Sequence, residues 1–176
     1  MPAKWQRVKI EIPDDYGPLE RQAIATEVLD FIRTRTQTKG LDKRNRSLPG
    51  YSDAYKNSLD FKIAGKSKSK VDLTLSGDML GAMDLLSHRP GEITVGFENG
   101  SDENARADGN IRGTYGKSKP VAPARDFLGI APGDLKKILN KYPVDKRDRA
   151  RERAEIVMNG NLYPTNPNVQ SDEDDE

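Results

Sequence analysis

Apolar positions along this chain switch between two periods, and each switch marks an expected element. Residues 5–12, WQRVKIEI, alternate closely enough for a strand: Trp5, Val8, Ile10 and Ile12 are apolar. Period two is the mark of a half-buried strand. Pro13 ends it, and PDDYGP supplies turn residues. From Leu19 to about Thr36 the period becomes helical, with Leu19, Ala23, Ile24, Val28, Phe31 and Ile32 at steps of three and four. This spacing predicts the longest helix, with Glu20, Arg21, Glu27 and Arg35 on its outer face and Gly40 just past its end.

In VDLTLSGDMLGAMDLLS, residues 71–87, Val71, Leu73 and Leu75 alternate with Asp72 and Thr74, which predicts a strand. Ser76 is the expected N-cap of a short helix, with Asp78 in its first turn and Met79, Leu80, Met83 and Leu86 on its apolar face. GEITVGF, residues 91–97, predicts another strand. A short helix is expected from about Pro132 to Lys141, and a highly charged one over 144–158. These elements imply an α+β fold: a small, mostly antiparallel sheet packed against the long N-terminal helix.

Long polar stretches separate the elements. Residues 40–70 are basic and rich in Gly, Pro and Ser, with a short helix expected around Ser52–Leu59; loops this long are functional or disordered. Residues 98–123 read as a polar, glycine-rich insertion. The expected organisation is a core over 1–143 carrying the basic loop 40–70, the charged helix within 144–159, and an acidic extended or disordered tail over 160–176.

Composition narrows the function. Apolar residues make up 34% of the 176 and charged ones 32%, so the core is thin and much of the chain is surface. With no cysteine, disulfides, thiolate metal sites and cysteine catalysis are excluded. No secretory signal opens the chain, and no stretch approaches the about 18 apolar residues of a membrane span. A soluble protein of a cytoplasm is expected, with no membrane partner. The net charge of +1 hides a strong asymmetry: residues 33–70 hold eleven Lys or Arg against Asp42, Asp53 and Asp60, while the chain ends DEDDE.

Motifs that would carry catalysis fail one by one. ARDFLGI, residues 124–130, nearly contains the Asp-Phe-Gly of protein kinases, but a kinase also needs a glycine-rich loop, a strand lysine and a catalytic loop. The residues read instead as a short strand, with Phe127 and Leu128 docked on the core and Arg125 and Asp126 left polar. The two GKS triplets, at 65–67 and 116–118, lack the earlier glycine of a phosphate loop, since Asp60 and Ile111 stand there. His88 is the one histidine, expected in a surface turn, and cannot build a zinc site alone. SDENARADGN lacks the acid spacing of a calcium loop. The serious alternative to a structural role is nucleic-acid binding, with the basic residues of segment 33–70 on phosphates and Tyr51, Tyr55 and Phe61 stacking on bases.

The order of segments carries a resemblance. After the strand, long helix and basic loop with YSDAY (Tyr51, Ser52, Tyr55), the chain has LTLSGDML, EITVGF, a glycine-rich insertion and PARDFLGI. This resembles the bacteriophage virion-morphogenesis and head–tail joining proteins, also called tail-completion or neck proteins. Their Leu-Thr-x-(Ser/Thr)-Gly-x-Met segment matches Leu73, Thr74, Ser76, Gly77 and Met79. Their Pro-x-Arg-x-Phe-Leu-Gly matches Pro123, Arg125, Phe127, Leu128 and Gly129. The likeness spans roughly residues 5–140; the insertion RADGNIRGTYGKSK is longer than the pattern, and the charged last helix and acidic tail lie outside it.

The resemblance implies a virion protein, forming a homo-oligomeric ring, six copies favoured, in the neck between head connector and tail. It implies assembly in the host cytoplasm, and Arg44, Arg46, Lys66, Lys68 and Lys70 would either meet acids on an adjoining ring or line the channel through which DNA passes. No catalytic residue, cofactor or metal is expected. The candidate interface residues are Arg44, Arg46, Tyr51, Tyr55, Lys66, Lys68, Lys70, Arg125 and Asp126. The candidate core anchors are Leu73, Leu75, Met79, Phe127 and Leu128.

Overall fold

A computed structural model describes residues 2–73 and 78–144. The described residues lie almost wholly in one compact unit, Met1–Tyr142. Thr74, Leu75, Ser76 and Gly77, the charged helix and the acidic tail fall outside the described residues.

The fold is α+β. Strand β1 (Arg7–Glu11) leads into helix α1 (Pro18–Thr34), which continues into a single π turn, Arg35–Lys39, closed by Gly40 in the left-handed region. Two short helices follow, α2 (Asp53–Lys56) and α3 (Leu59–Ile63), capped by the Ser52 and Ser58 hydroxyls. Then come α4 (Asp78–Gly81), β2 (Asp84–Arg89), β3 (Glu92–Gly96), α5 (Asp102–Arg112) and α6 (Pro132–Leu139).

The sheet has the order β1-β3-β2, with both pairs antiparallel. Val8 and Ile10 stand opposite Val95 and Ile93, so one face of the sheet is apolar. Helix α1 packs across β2 and β3 and buries Ile24, Val28 and Ile32 completely. Gly96 lets β1 come close: a Cβ there would lie 2.5 Å from the Gln6 carbonyl oxygen. Behind β3, Phe97 and Phe127 meet edge to face at 6.4 Å, both fully buried.

Several expectations need correction. The described part of the 71–75 strand is irregular, and Leu73 has φ 54, which no strand residue adopts. The helix expected from Met79 to Leu86 ends at Gly81, and residues 84–89 form β2. There Met79, Leu80 and Met83 are buried, whereas Leu86 lies at a bulge between Leu85 and Ser87. His88 belongs to β2, opposite Ile93, and the turn follows it. The polar insertion contains helix α5, which the chain's low apolar content there concealed. ARDFLGI forms no strand.

Helix α1 holds another correction. Arg21 and Arg35 are buried, and Leu19 is exposed. Arg21, Ile24, Val28, Ile32 and Arg35 fall at steps of three and four, so both arginines lie on the apolar stripe itself. They are accommodated at its two ends because backbone carbonyls meet them there. Arg21 Nη1 donates to the Tyr16 carbonyl, and Arg35 donates to Phe127 and Gly129.

Candidate functional site

Two arginines fix the segment 124–130. Arg35 reaches it from the end of α1: Nη1 donates to Gly129 O at 2.9 Å and Nη2 to Phe127 O at 2.5 Å. Burial pushes the Arg35 guanidinium down from its ordinary value, opposed by the nearby Asp42, Asp134 and Asp126 charges. Arg125 leaves the segment in the other direction. Its Nε donates to Pro49 O at 3.0 Å, Nη2 to Gly50 O at 2.9 Å and Nη1 to the Tyr115 hydroxyl at 3.0 Å. It is 4% exposed, so the expectation that it faces outward toward a neighbour is corrected: its side chain ties three loops of its own chain together. Asp126 stays half-exposed and pairs with Lys43 at 2.6 Å.

Beside Arg125 lies an aromatic cluster. Tyr51, Tyr55 and Phe61 meet edge to face with centroids 5.2 to 5.7 Å apart. The nucleic-acid alternative would use these rings to stack on bases; in the fold they pack edge to face on one another. The Lys66 ammonium is held inside, 3.1 Å from the Tyr51 hydroxyl and 3.0 Å from Asp72 Oδ1, with only 3% of its side chain exposed. This removes Lys66 from the exposed basic set. Tyr51 donates its own proton to Asp72 at 3.0 Å. Burial first, and the Asp72 carboxylate second, push the Tyr51 phenol up to about 12.

Tyr51, Tyr55, Lys66 and Arg125 line a cleft of about 350 Å³, together with Leu73, Asn110, Tyr115, Val121 and Pro123. Tyr115 is set there by an abrupt turn after α5. Gly113 has φ 70, and a Cβ on it would lie 2.0 Å from Ala122 O. Tyr115 itself has φ 46 and donates to Asn110 Oδ1 at 2.8 Å. The cleft is therefore rigid and phenol-lined, and its two cations already have protein partners.

The other candidates lie apart from this cleft. Asp42, buried in the turn after α1, accepts from the Arg44 and Arg46 amides and from the Arg46 guanidinium at 2.8 to 2.9 Å. Burial pushes its carboxyl up, but those donors outweigh it and hold it below the ordinary range. Arg44 and Lys68 are exposed; Lys70 is exposed and donates to Thr38 O at 2.9 Å. Of the expected core anchors, Leu73, Met79, Phe127 and Leu128 are buried, and Leu75 lies outside the described residues.

Residues that the sequence reading passed over hold the N-terminus. Asn104 of α5 is buried, accepts from the Gln6 amide at 2.7 Å and donates to Lys4 O at 3.1 Å. Gln6 Nε2 in turn donates to Asp108 at 2.8 Å. The signal for α5 was present: Ser101 caps it, Asp102 and Glu103 fill its first turn, and Gly113 ends it.

Among the described residues, no group of His, Cys, Asp and Glu could hold a metal ion, and no helix is long and apolar enough to cross a membrane. No protein-family model matches the chain, nor does any curated protein or solved structure.

Proposed function

We propose that this chain is a structural protein of a tailed-bacteriophage virion, forming a homo-oligomeric ring in the neck that joins the DNA-filled head to the tail. The observation that carries the reading is the use made of Pro123–Gly129, one of the segments whose order and spacing carry the family resemblance. Its polar groups serve architecture. Arg125 binds the loop at 49–50, Arg35 satisfies the Phe127 and Gly129 carbonyls, and Phe127 fills the core. A segment spent in this way is a strap, and the structural use of its polar groups supports a scaffold role.

In this role the thin core supports surface that orders against neighbouring copies, head connector and tail proteins. The ring encloses the path of the DNA, and the exposed basic residues of the excursion contact it without reading sequence. No bond is made or broken. The test is a stop codon early in the gene in its phage, followed by negative-stain electron microscopy of the lysate. Filled heads and finished tails should accumulate unjoined. Intact infectious virions would overturn the reading.

A second reading keeps one observation in its favour. Lys39, Arg44, Lys62, Lys68 and Lys70 all remain exposed, as a nucleic-acid accessory protein would require. It demands tight binding to a short duplex with a steep salt slope.

A further inference from the structure

We infer that copies of this chain associate head to tail, the Leu59–Ile63 face of α3 on one copy seating Leu19 of the next. The contact deepens the ring reading and rests on it for its biological setting.

Helix α3 is attached to its own chain by one side chain, Phe61, which is 2% exposed. One turn apart on the opposite side, Leu59 and Ile63 are 70% and 75% exposed. Scattered apolar residues on a surface are ordinary, but a pair four apart on a helix forms one patch. Lys62 flanks this patch on one side, Asp60 flanks it on the other, and Lys68 follows in the next loop. The most exposed large apolar residue in the described chain is Leu19, at 82%, in the first turn of α1. Just before it come Asp14 and Asp15, both exposed and without an ion-pair partner among the described residues. One patch is thus an apolar face bordered by Lys62 on one side and Asp60 on the other, and the second is an apolar knob beside two acids, to which Lys62 is the complementary charge.

The two do not meet within one copy, since Leu19, Leu59 and Ile63 are all left exposed. Helix α1 has 17 residues, a length of about 25 Å. Leu19 lies at its N-terminal end. The excursion that carries α3 is tied at the other end: Leu48 N donates to Gly40 O, Lys70 Nζ donates to Thr38 O, and Gly40 lies hard against Val71 O. Two different exposed patches that meet between copies make a heterologous contact, which closes into a ring when the rotation fits.

The absence of native cysteine allows a direct test. Leu19→Cys and Ile63→Cys are made in separate chains, mixed and oxidised with diamide. The heterodisulfide is expected well above either homodimer, because it requires Cα atoms within about 7 Å. A mixture of Ile63→Cys with Lys137→Cys, at an exposed position outside both patches, gives the background. Sedimentation velocity supplies the second readout. Lys62→Glu and Asp15→Lys should each weaken self-association about tenfold, and the double variant should restore it. All five substitutions are at exposed positions, and circular dichroism checks that each chain remains folded. If the chain oligomerises but the heterodisulfide stays at background, this contact is overturned and the ring reading survives. If neither oligomer nor heterodisulfide forms, the contact is overturned, and the stop-codon test decides the ring reading separately. Unjoined heads and tails alongside a failed crosslink would place the ring contact elsewhere on the subunit.

Discussion

Replacing Arg35 with methionine keeps the volume and removes the guanidinium that closes the strap. Two carbonyl oxygens, Phe127 O and Gly129 O, then lose their donors inside the protein. Each buried group left unpaired costs about 1–3 kcal/mol. The loss is offset in part, because a buried cation no longer has to be desolvated, and because Arg35 Nε has no partner to lose. A net loss of about 3 kcal/mol is the expected outcome, near the lower end of what removing one partner of a buried charged contact costs. That is a large share of the 5–15 kcal/mol that typically separates folded from unfolded, and in a unit of this size it lowers Tm by about 10 °C. Urea unfolding followed by circular dichroism measures it. Arg35→Lys is expected to lose about half as much, since an ammonium reaches one carbonyl more readily than two. Arg44→Met, at an exposed position, should stay within about 0.5 kcal/mol of the parent. If Arg35→Met unfolds at the parental midpoint, the strap is not held by Arg35 and the reasoning fails.

Three further outcomes follow from the same geometry. Phe127→Ala opens a cavity opposite Phe97 and should cost about 3–5 kcal/mol, measured by chemical denaturation; a loss under about 1 kcal/mol would mean that the site collapses freely. Gly113→Ala places a Cβ against Ala122 O at a left-handed φ and should destabilise by about 2 kcal/mol or more, with the turn before Tyr115 displaced. In a spectrophotometric titration of tyrosinate, Tyr51 and Tyr142 should ionise last, near about 12, the second because Glu27 accepts its hydrogen bond. Since the folded pKa of Tyr51 lies above its ordinary 10.0, its contribution to stability is full below 10 and is lost as pH rises through about 12; Tyr51→Phe should delete one late step.

Period and burial agree where an element has one apolar face and no polar competitor. β1 and β3 were legible for that reason, and α1 was legible as an element although Arg21 and Arg35 share its apolar stripe. The stretch from Met79 to Leu86 was not, because Met79, Leu80, Met83 and Leu86 satisfy a helical spacing by coincidence. The deciding signal was Pro90-Gly91, a turn between two short strands, with Gly91 at φ 79. Alternation in Val71, Asp72 and Leu73 misled in the same way, since a left-handed Leu73 leaves no room for a ladder. The roles of Arg35 and Arg125 were hidden for a different reason. A charged residue on a helical stripe reads as surface unless the carbonyls that meet it are known, and here they come from 92 and 94 residues away. The candidate site was thus visible as residue types, Tyr51, Tyr55, Lys66 and Arg125, but not as a closed network.

That network bears on how a surface on the excursion can bind. A free 30-residue loop would lose much conformational entropy on docking, which lowers affinity for a given contact area. This excursion is already fastened. Arg125 holds Pro49 and Gly50, Lys66 joins Tyr51 to Asp72, and Phe61 sits in the aromatic cluster. Most of the ordering cost therefore falls within the fold, before any partner arrives. Leu59 and Ile63 are then presented on a pre-set turn of helix, and association need fix only their side chains. Loosening the cluster should weaken self-association without touching either patch. Tyr51→Ala is the variant that separates the two effects: subunits that remain folded but associate more weakly would trace the affinity to this pre-organisation, whereas unchanged association would place the contact on surface that does not depend on the excursion.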